Sequence, residues 1–189
     1  MMMKKILLFA SGSGTNVENI IRYFQEKKTA EIAAVFCNNP NAKVLERAKN
    51  LDVSTFVFTK DELHSNAVLE KLWQYQPDFI VLAGFLLQFP IAIIKQFPNI
   101  INIHPALLPK YGGKGMYGMN VHRAVLENKD LETGITIHYV NENYDEGAIV
   151  FQKTISIQDC TSAEEVASKI HQLEQEHFPQ VIEKLLQKI

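Results

Sequence analysis

Apolar and polar positions along the 189 residues fall into short runs of two alternating kinds. Lys4–Ala10 (KKILLFA) ends in an unbroken apolar stretch, the pattern of a strand buried on both faces of a parallel sheet. Beyond Ser11, apolar residues recur as Val17, Ile20, Ile21 and Phe24, which predicts an amphipathic helix. Glu31–Cys37 (EIAAVFC) predicts a second strand, closed by Asn38-Asn39-Pro40. Residues 41–50 predict a short helix and 53–58 (VSTFVF) a third strand. Residues 61–76 predict a single helix with Leu63, Ala67, Leu69 and Leu72 on its apolar side, ended by Pro77. Asp78–Ala83 and Asn99–Ile103 predict two more strands, with a short helix over 90–96 that Pro90 opens.

The rhythm then changes. Residues 105–118 hold Pro105, Pro109 and four of the nine glycines, which predicts a mobile loop. Asn120–Asn128 predicts a helix. Gly134–Val140 and Ala148–Ile157 alternate and predict a hairpin around residues 141–147. Ser162–Lys188 predicts a long helix, bent near Pro179. The fold class is α/β: a Rossmann-like, doubly wound, mostly parallel sheet with an antiparallel C-terminal portion and a long C-terminal helix.

Length fits one domain, 1–189, divided into a first half over about 1–100 and a second part over about 80–189 whose roles depend on the motifs below. Hydrophobic residues at 47% and charged residues at 21% are ordinary globular usage, which excludes a disordered chain. A net charge of −2 gives no electrostatic case for a nucleic-acid partner. Cys37 and Cys160 lie too far apart for a cysteine-based metal motif. The apolar run Phe79–Leu87 is about half of what spans a bilayer. The N-terminus lacks the features of a signal peptide, so a cytoplasmic location is expected.

Two places carry candidate chemistry. Gly12-Ser13-Gly14-Thr15-Asn16 stands between a strand and a helix, where backbone N–H groups and the helix dipole attract an anion. Val17 takes the place of the third glycine of a dinucleotide fingerprint, and no G-K-[ST] follows, so a phosphomonoester is the better ligand. The same residues also fit a plain turn with a Thr15–Glu18 capping box. Asn102 and His104 end the fifth strand two positions apart, hence on one face. An amide donor beside an imidazole suits acyl transfer, and a strand-end Asn with a core His is the plainer alternative. Asp145-Glu146-Gly147 is either a simple hairpin tip or a carboxylate that folds over His104 and sets its charge. His64, His122, His138, His171 and His177 read as structural or surface residues, and no metal motif is present.

Taken in order, the glycine turn, Leu82-Ala83-Gly84-Phe85, Asn102-Ile103-His104-Pro105-Ala106-Leu107-Leu108-Pro109 and Asp145-Glu146-Gly147 resemble the folate-dependent formyltransferases. The form of the turn and the length resemble the glycinamide ribonucleotide branch of that family. The resemblance implies transfer of the formyl group of 10-formyltetrahydrofolate, a co-substrate, to the amine of 5-phosphoribosylglycinamide, a step of purine biosynthesis that needs no metal. It implies that Gly12, Ser13, Gly14, Thr15 and Asn16 bind the phosphate, and that Leu86, Leu87, Gln88 and Phe89 line the pterin pocket through backbone groups. Asn102 would contact the formyl group, His104 would move the proton, Asp145 would raise the His104 pKa, and Glu174 would contact the amine substrate. The partners implied are these two small molecules, with neither membrane nor nucleic acid, on a monomer or homodimer.

Two features depart from the family pattern. Where an Arg often meets the folate carboxylates, this chain has Lys60-Asp61-Glu62-Leu63, and Lys60 is the candidate substitute. The loop Tyr111–Met119 is longer and richer in glycine than usual. The rival functions are another formyl-folate enzyme, acting on a different amine or hydrolysing the formyl group, and a non-catalytic nucleotide-binding module.

Overall fold

The structure, a computed structural model that describes residues 3–189, is organised by its first strand. Along β1 (Lys4–Ala10), Ile6, Leu8 and Ala10 enter one core while Leu7 and Phe9 enter another, as the two-residue period of a strand requires. Helices therefore cover both faces. α1 (Thr15–Lys27), β2 (Ala30–Cys37), α2 (Lys43–Asn50) and β3 (Thr55–Val57) follow, then α3 (Lys60–His64), α4 (Asn66–Tyr75) and β4 (Phe79–Leu82). α5 (Ile91–Ile94) and β5 (Ile100–His104) come next, before α6 (Met119–Glu127), β6 (Glu132–Tyr139), β7 (Ile149–Ser156) and α7 (Ala163–Leu186). The strand order is β3-β2-β1-β4-β5-β6-β7. Pairing is parallel from β3 through β5 and antiparallel for β5–β6 and β6–β7. This is the doubly wound, mostly parallel sheet with an antiparallel end and a long final helix that the sequence predicts.

The chain leaves β1 toward β2 on one side and reaches β4 on the other. That divergence opens a crevice at the carboxyl ends of the strands, where ligands bind in open α/β sheets. Ser11 N–H donates to the Gly84 carbonyl at 3.0 Å, which ties the segments leaving β1 and β4 across it.

Local chemistry corrects the predicted elements in two places. The single helix over 61–76 is α3 and α4, because Ser65 is extended (φ −89°, ψ −174°) and its hydroxyl accepts the Ala67 N–H to start a new helix. Ser side chains compete for backbone groups in this way. Leu63, Val68 and Leu72 consequently form the buried stripe; Ala67 is exposed and Leu69 half-buried. The Thr15–Glu18 capping box is also absent. α1 starts one residue earlier than that box needs, its N-cap is Gly14 in the left-handed region (φ 74°), and no side chain caps it. Glu18 instead pairs with Arg22 and with Arg47 of α2.

α7 runs unbroken for 24 residues with Pro179 inside it. Proline has no N–H to give to the carbonyl four residues earlier, that of Gln175. Asn19 supplies the missing donor: its Nδ2 reaches the Gln175 oxygen at 2.9 Å. Gln175 Nε2 returns to Asn16 Oδ1 at 3.1 Å, and Asn16 Nδ2 donates to Glu174 at 2.9 Å. The carbonyl freed by Pro179 thus helps to dock α7 on the start of α1.

Asn19→Ala leaves that carbonyl unpaired and should cost about 1–3 kcal/mol of stability. In a Pro179→Ala background the helix regains its own N–H, and the cost of Asn19→Ala should shrink. Urea denaturation of the four proteins checks this coupling; equal costs in both backgrounds would contradict it.

Candidate functional site

One cavity of about 800 Å³ opens at the carboxyl ends of the central strands. It gathers Gly12–Asn16 after β1, Leu86–Phe89 after β4, Asn102 and His104 of β5, Asp145 of the β6–β7 loop, and Glu174 of α7. Of the candidate substrate-binding and catalytic residues named from the sequence, only Lys60 stays outside its lining. Lys60 is exposed at the first position of α3, and the one Lys or Arg that lines the cavity is Lys114, in the glycine-rich loop.

The glycine turn is braced from behind by α2. Val44 N–H donates to the Gly12 carbonyl at 3.2 Å, and Arg47 Nε donates to the Ser13 carbonyl at 2.8 Å. With those carbonyls turned to α2 and no side-chain cap on α1, the unpaired N–H groups of a helix start border the cavity. Gly14 itself answers to packing: a Cβ there would sit 2.7 Å from the Val44 Cα. Gly12 has open space around it.

On the far side of the cavity, the Leu86 N–H donates to the Ser11 hydroxyl at 3.0 Å, so that backbone donor is already engaged. Gln88 Nε2 donates to the Glu142 carbonyl at 2.7 Å, which joins this segment to the β6–β7 loop. Phe89 packs edge-on against Phe9 and belongs mainly to the core.

Asn102 and His104 share a face of β5, while Ile101 and Ile103 fill the core on the other. Antiparallel pairing sets Asn102 opposite His138 and His104 opposite Thr136. The Thr136 hydroxyl donates to the Ala106 carbonyl at 2.7 Å and accepts the Leu108 N–H at 3.0 Å, fixing the chain as it leaves His104. Asp145 lies between two histidines: Oδ2 is 3.5 Å from His104 Nδ1, and Oδ1 is 3.6 Å from His138 Nε2. The Gly113 N–H donates to Oδ2 at 3.0 Å. Burial alone would raise the Asp145 pKa, but His138, His104 and the Gly113 N–H outweigh it and hold the carboxyl below its usual range.

His104 behaves differently from the expectation of a raised pKa. Its side chain is only 4% exposed, and burial pulls its pKa below the ordinary histidine value. Asp145 pulls upward, as does the Tyr111 carbonyl that His104 Nε2 meets at 2.7 Å, but burial prevails. A carbonyl only accepts, so Nε2 carries the proton of neutral His104 and the lone pair lies on Nδ1, facing Asp145.

Four contributors escaped the sequence reading. His138 is buried against Asn102, an encounter set by strand register that no local pattern displays. Tyr111 and Gly113 act through backbone atoms, which side-chain motifs do not report. His122 of α6 also lines the cavity, buried, with Nδ1 sealed from solvent and without a hydrogen-bond partner. Among the described residues, no group of His, Cys, Asp and Glu could hold a metal ion, and no helix is long and apolar enough to cross a membrane.

The profile of the family described as formyl transferase matches residues 4–182. The phosphoribosylglycinamide formyltransferase of Bacillus subtilis (strain 168) is 36% identical over 191 residues, covering 97% of this chain and 95% of that protein. The chloroplastic phosphoribosylglycinamide formyltransferase of Arabidopsis thaliana is 36% identical over 182 residues, and the match covers 92% of this chain but 62% of that longer protein. The crystal structure of glycinamide ribonucleotide transformylase 1 from Geobacillus kaustophilus superposes with a TM-score of 0.89 at 34% identity, covering 98% of this chain and all of that one.

Gly14→Ala forces a left-handed backbone on alanine and drives its Cβ into Val44, so it should cost about 2–4 kcal/mol. Gly12→Ala should fold with nearly wild-type stability. Urea denaturation of the two variants tests the division; comparable losses would show that the turn has no such packing asymmetry.

Proposed function

This chain belongs to the formyl transferase family, and from that premise we propose that it transfers the formyl group of 10-formyltetrahydrofolate to the amine of 5-phosphoribosylglycinamide, a step of purine biosynthesis. The observation that carries this reading is the convergence of Asn102, His104 and Asp145 on a cavity that also holds the glycine turn and the Leu86–Phe89 segment. The turn suits the phosphate, because unpaired helix-start N–H groups and the dipole favour an anion. The largely apolar segment after β4 suits the flat pterin, with the reactive residues between the two.

The amine nitrogen attacks the formyl carbon. A C–N bond forms, and the carbonyl electrons move onto oxygen, where the Asn102 amide donates a hydrogen bond. Such a donor contributes about 2.7–4 kcal/mol to the barrier. Because burial keeps His104 neutral near pH 7, His104 works as a shuttle and not as a standing cation. Its Nδ1 lone pair takes the proton from the attacking nitrogen, and Asp145 stabilises the imidazolium that results. The same proton then passes to the folate nitrogen as its bond to the formyl carbon breaks. No covalent enzyme intermediate is needed, and holding both substrates together supplies up to about 7–11 kcal/mol. Glu174, held by Asn16, presents its carboxylate to the amine substrate. Lys114 is better situated than Lys60 to meet an anionic substrate group, since it lines the cavity.

The test is to incubate the protein with 10-formyltetrahydrofolate, with and without 5-phosphoribosylglycinamide, and to follow tetrahydrofolate release. Release only with the amine supports transfer. Release without it would establish a hydrolase, and none at all a binding module. Asn102→Ala should lower kcat about 10²–10³-fold while the protein stays folded. A folded variant that keeps more than about a tenth of the rate would remove Asn102 as the donor.

A further inference from the structure

The hydrogen bonds around His138 determine what Asn102 can offer to a ligand. His138 is 2% exposed, and its Nδ1 lies 2.9 Å from the carbonyl of Tyr139. That carbonyl accepts only, so Nδ1 carries a proton. In the neutral ring Nε2 then has a lone pair, and its nearest polar neighbour is Asn102 Nδ2 at 3.2 Å. Asp145 Oδ1 is farther, at 3.6 Å. The arrangement is enforced by the backbone. Gly147 packs so close to the Tyr139 carbonyl that a Cβ would overlap it, which fixes the acceptor that selects the His138 tautomer.

We infer that His138 is a positioning residue: protonated on Nδ1, it accepts one N–H of the Asn102 amide at Nε2 and so leaves the second N–H turned to the cavity as the oxyanion donor. Without that acceptor the amide is free to rotate by half a turn and present its oxygen, which repels the developing negative charge. This inference rests on the donor role proposed for Asn102. His138 touches no reacting atom; its effect runs through Asn102, so removing it should lower kcat and leave both KM values unchanged.

The first test needs no variant. ¹⁵N-resolved NMR of the imidazoles at neutral pH should show a pyrrole-type Nδ1 and a pyridine-type Nε2 for His138. A ring protonated on Nε2, or on both nitrogens with Asp145 as its partner, would overturn the assignment. The second test is a double-mutant cycle. His138→Phe removes the acceptor and should lower kcat about tenfold or more, whereas His138→Gln, whose amide oxygen can accept, should recover part of the rate. In an Asn102→Ala background, His138→Phe should change kcat by less than about threefold, because residues that act as a unit are not additive. Penalties that multiply would mean that His138 acts independently of Asn102. If Asn102→Ala alone is silent, the donor role itself fails. An Asn102-dependent rate with an Nε2-protonated His138 overturns only the positioning role.

Discussion

A carboxylate cannot be taken out of water without partners, and the burial of Asp145 organises the site around that requirement. Its side chain is 10% exposed, and groups from three other parts of the chain close around it: the Gly113 N–H in the glycine-rich loop, which donates to it, and the rings of His104 at the end of β5 and His138 on β6. The hairpin tip, the central strand and the loop are therefore mutually dependent. Asp145 adopts a left-handed backbone (φ 57°), an unfavourable conformation for a non-glycine residue that the surrounding bonds compensate. A site assembled in this way is held by contacts among three segments and not by a single rigid element.

The cavity has a second, independent scaffold at the glycine turn. There α2 holds the turn's carbonyls and α7 holds Asn16, so the backbone N–H groups at the start of α1 are left for a ligand. Pro179 contributes from a distance, since the carbonyl it leaves unpaired takes the Asn19 amide. The glycine turn and the Asp145 cluster are thus supported by separate interactions.

What the sequence makes legible follows from the range of the forces involved. β1 and the helix after it are local patterns of apolar spacing, and they occur with the predicted residues buried. The divide between α3 and α4 turns on one serine hydroxyl, too fine a signal for apolar periodicity. Asn102, His104 and Asp145 stand out because their residue types and order carry chemistry. His138 does not, since its meeting with Asn102, 36 positions away, is created by the β5–β6 register when the chain folds back on itself. The His104 pKa is misjudged from sequence for a related reason: a nearby carboxylate is visible in the motif, whereas the depth of burial that outweighs it exists only in the fold.

In the proposed reaction, buried, neutral His104 collects the proton and Asp145 stabilises the cation it becomes. The direct measurement is the kcat–pH profile of the wild type and of Asp145→Asn, with the His104 imidazole titrated by NMR. Burial lowers the His104 pKa and Asp145 opposes that shift, so removing the charge should lower the pKa further. A neutral base is present above its pKa and lost as pH falls through it. The acid limb of the variant should therefore move to lower pH, and its plateau should drop because the imidazolium is less stable. A His104 pKa that stays the same or rises in the variant, or a rate lost on the alkaline side instead, would contradict the account.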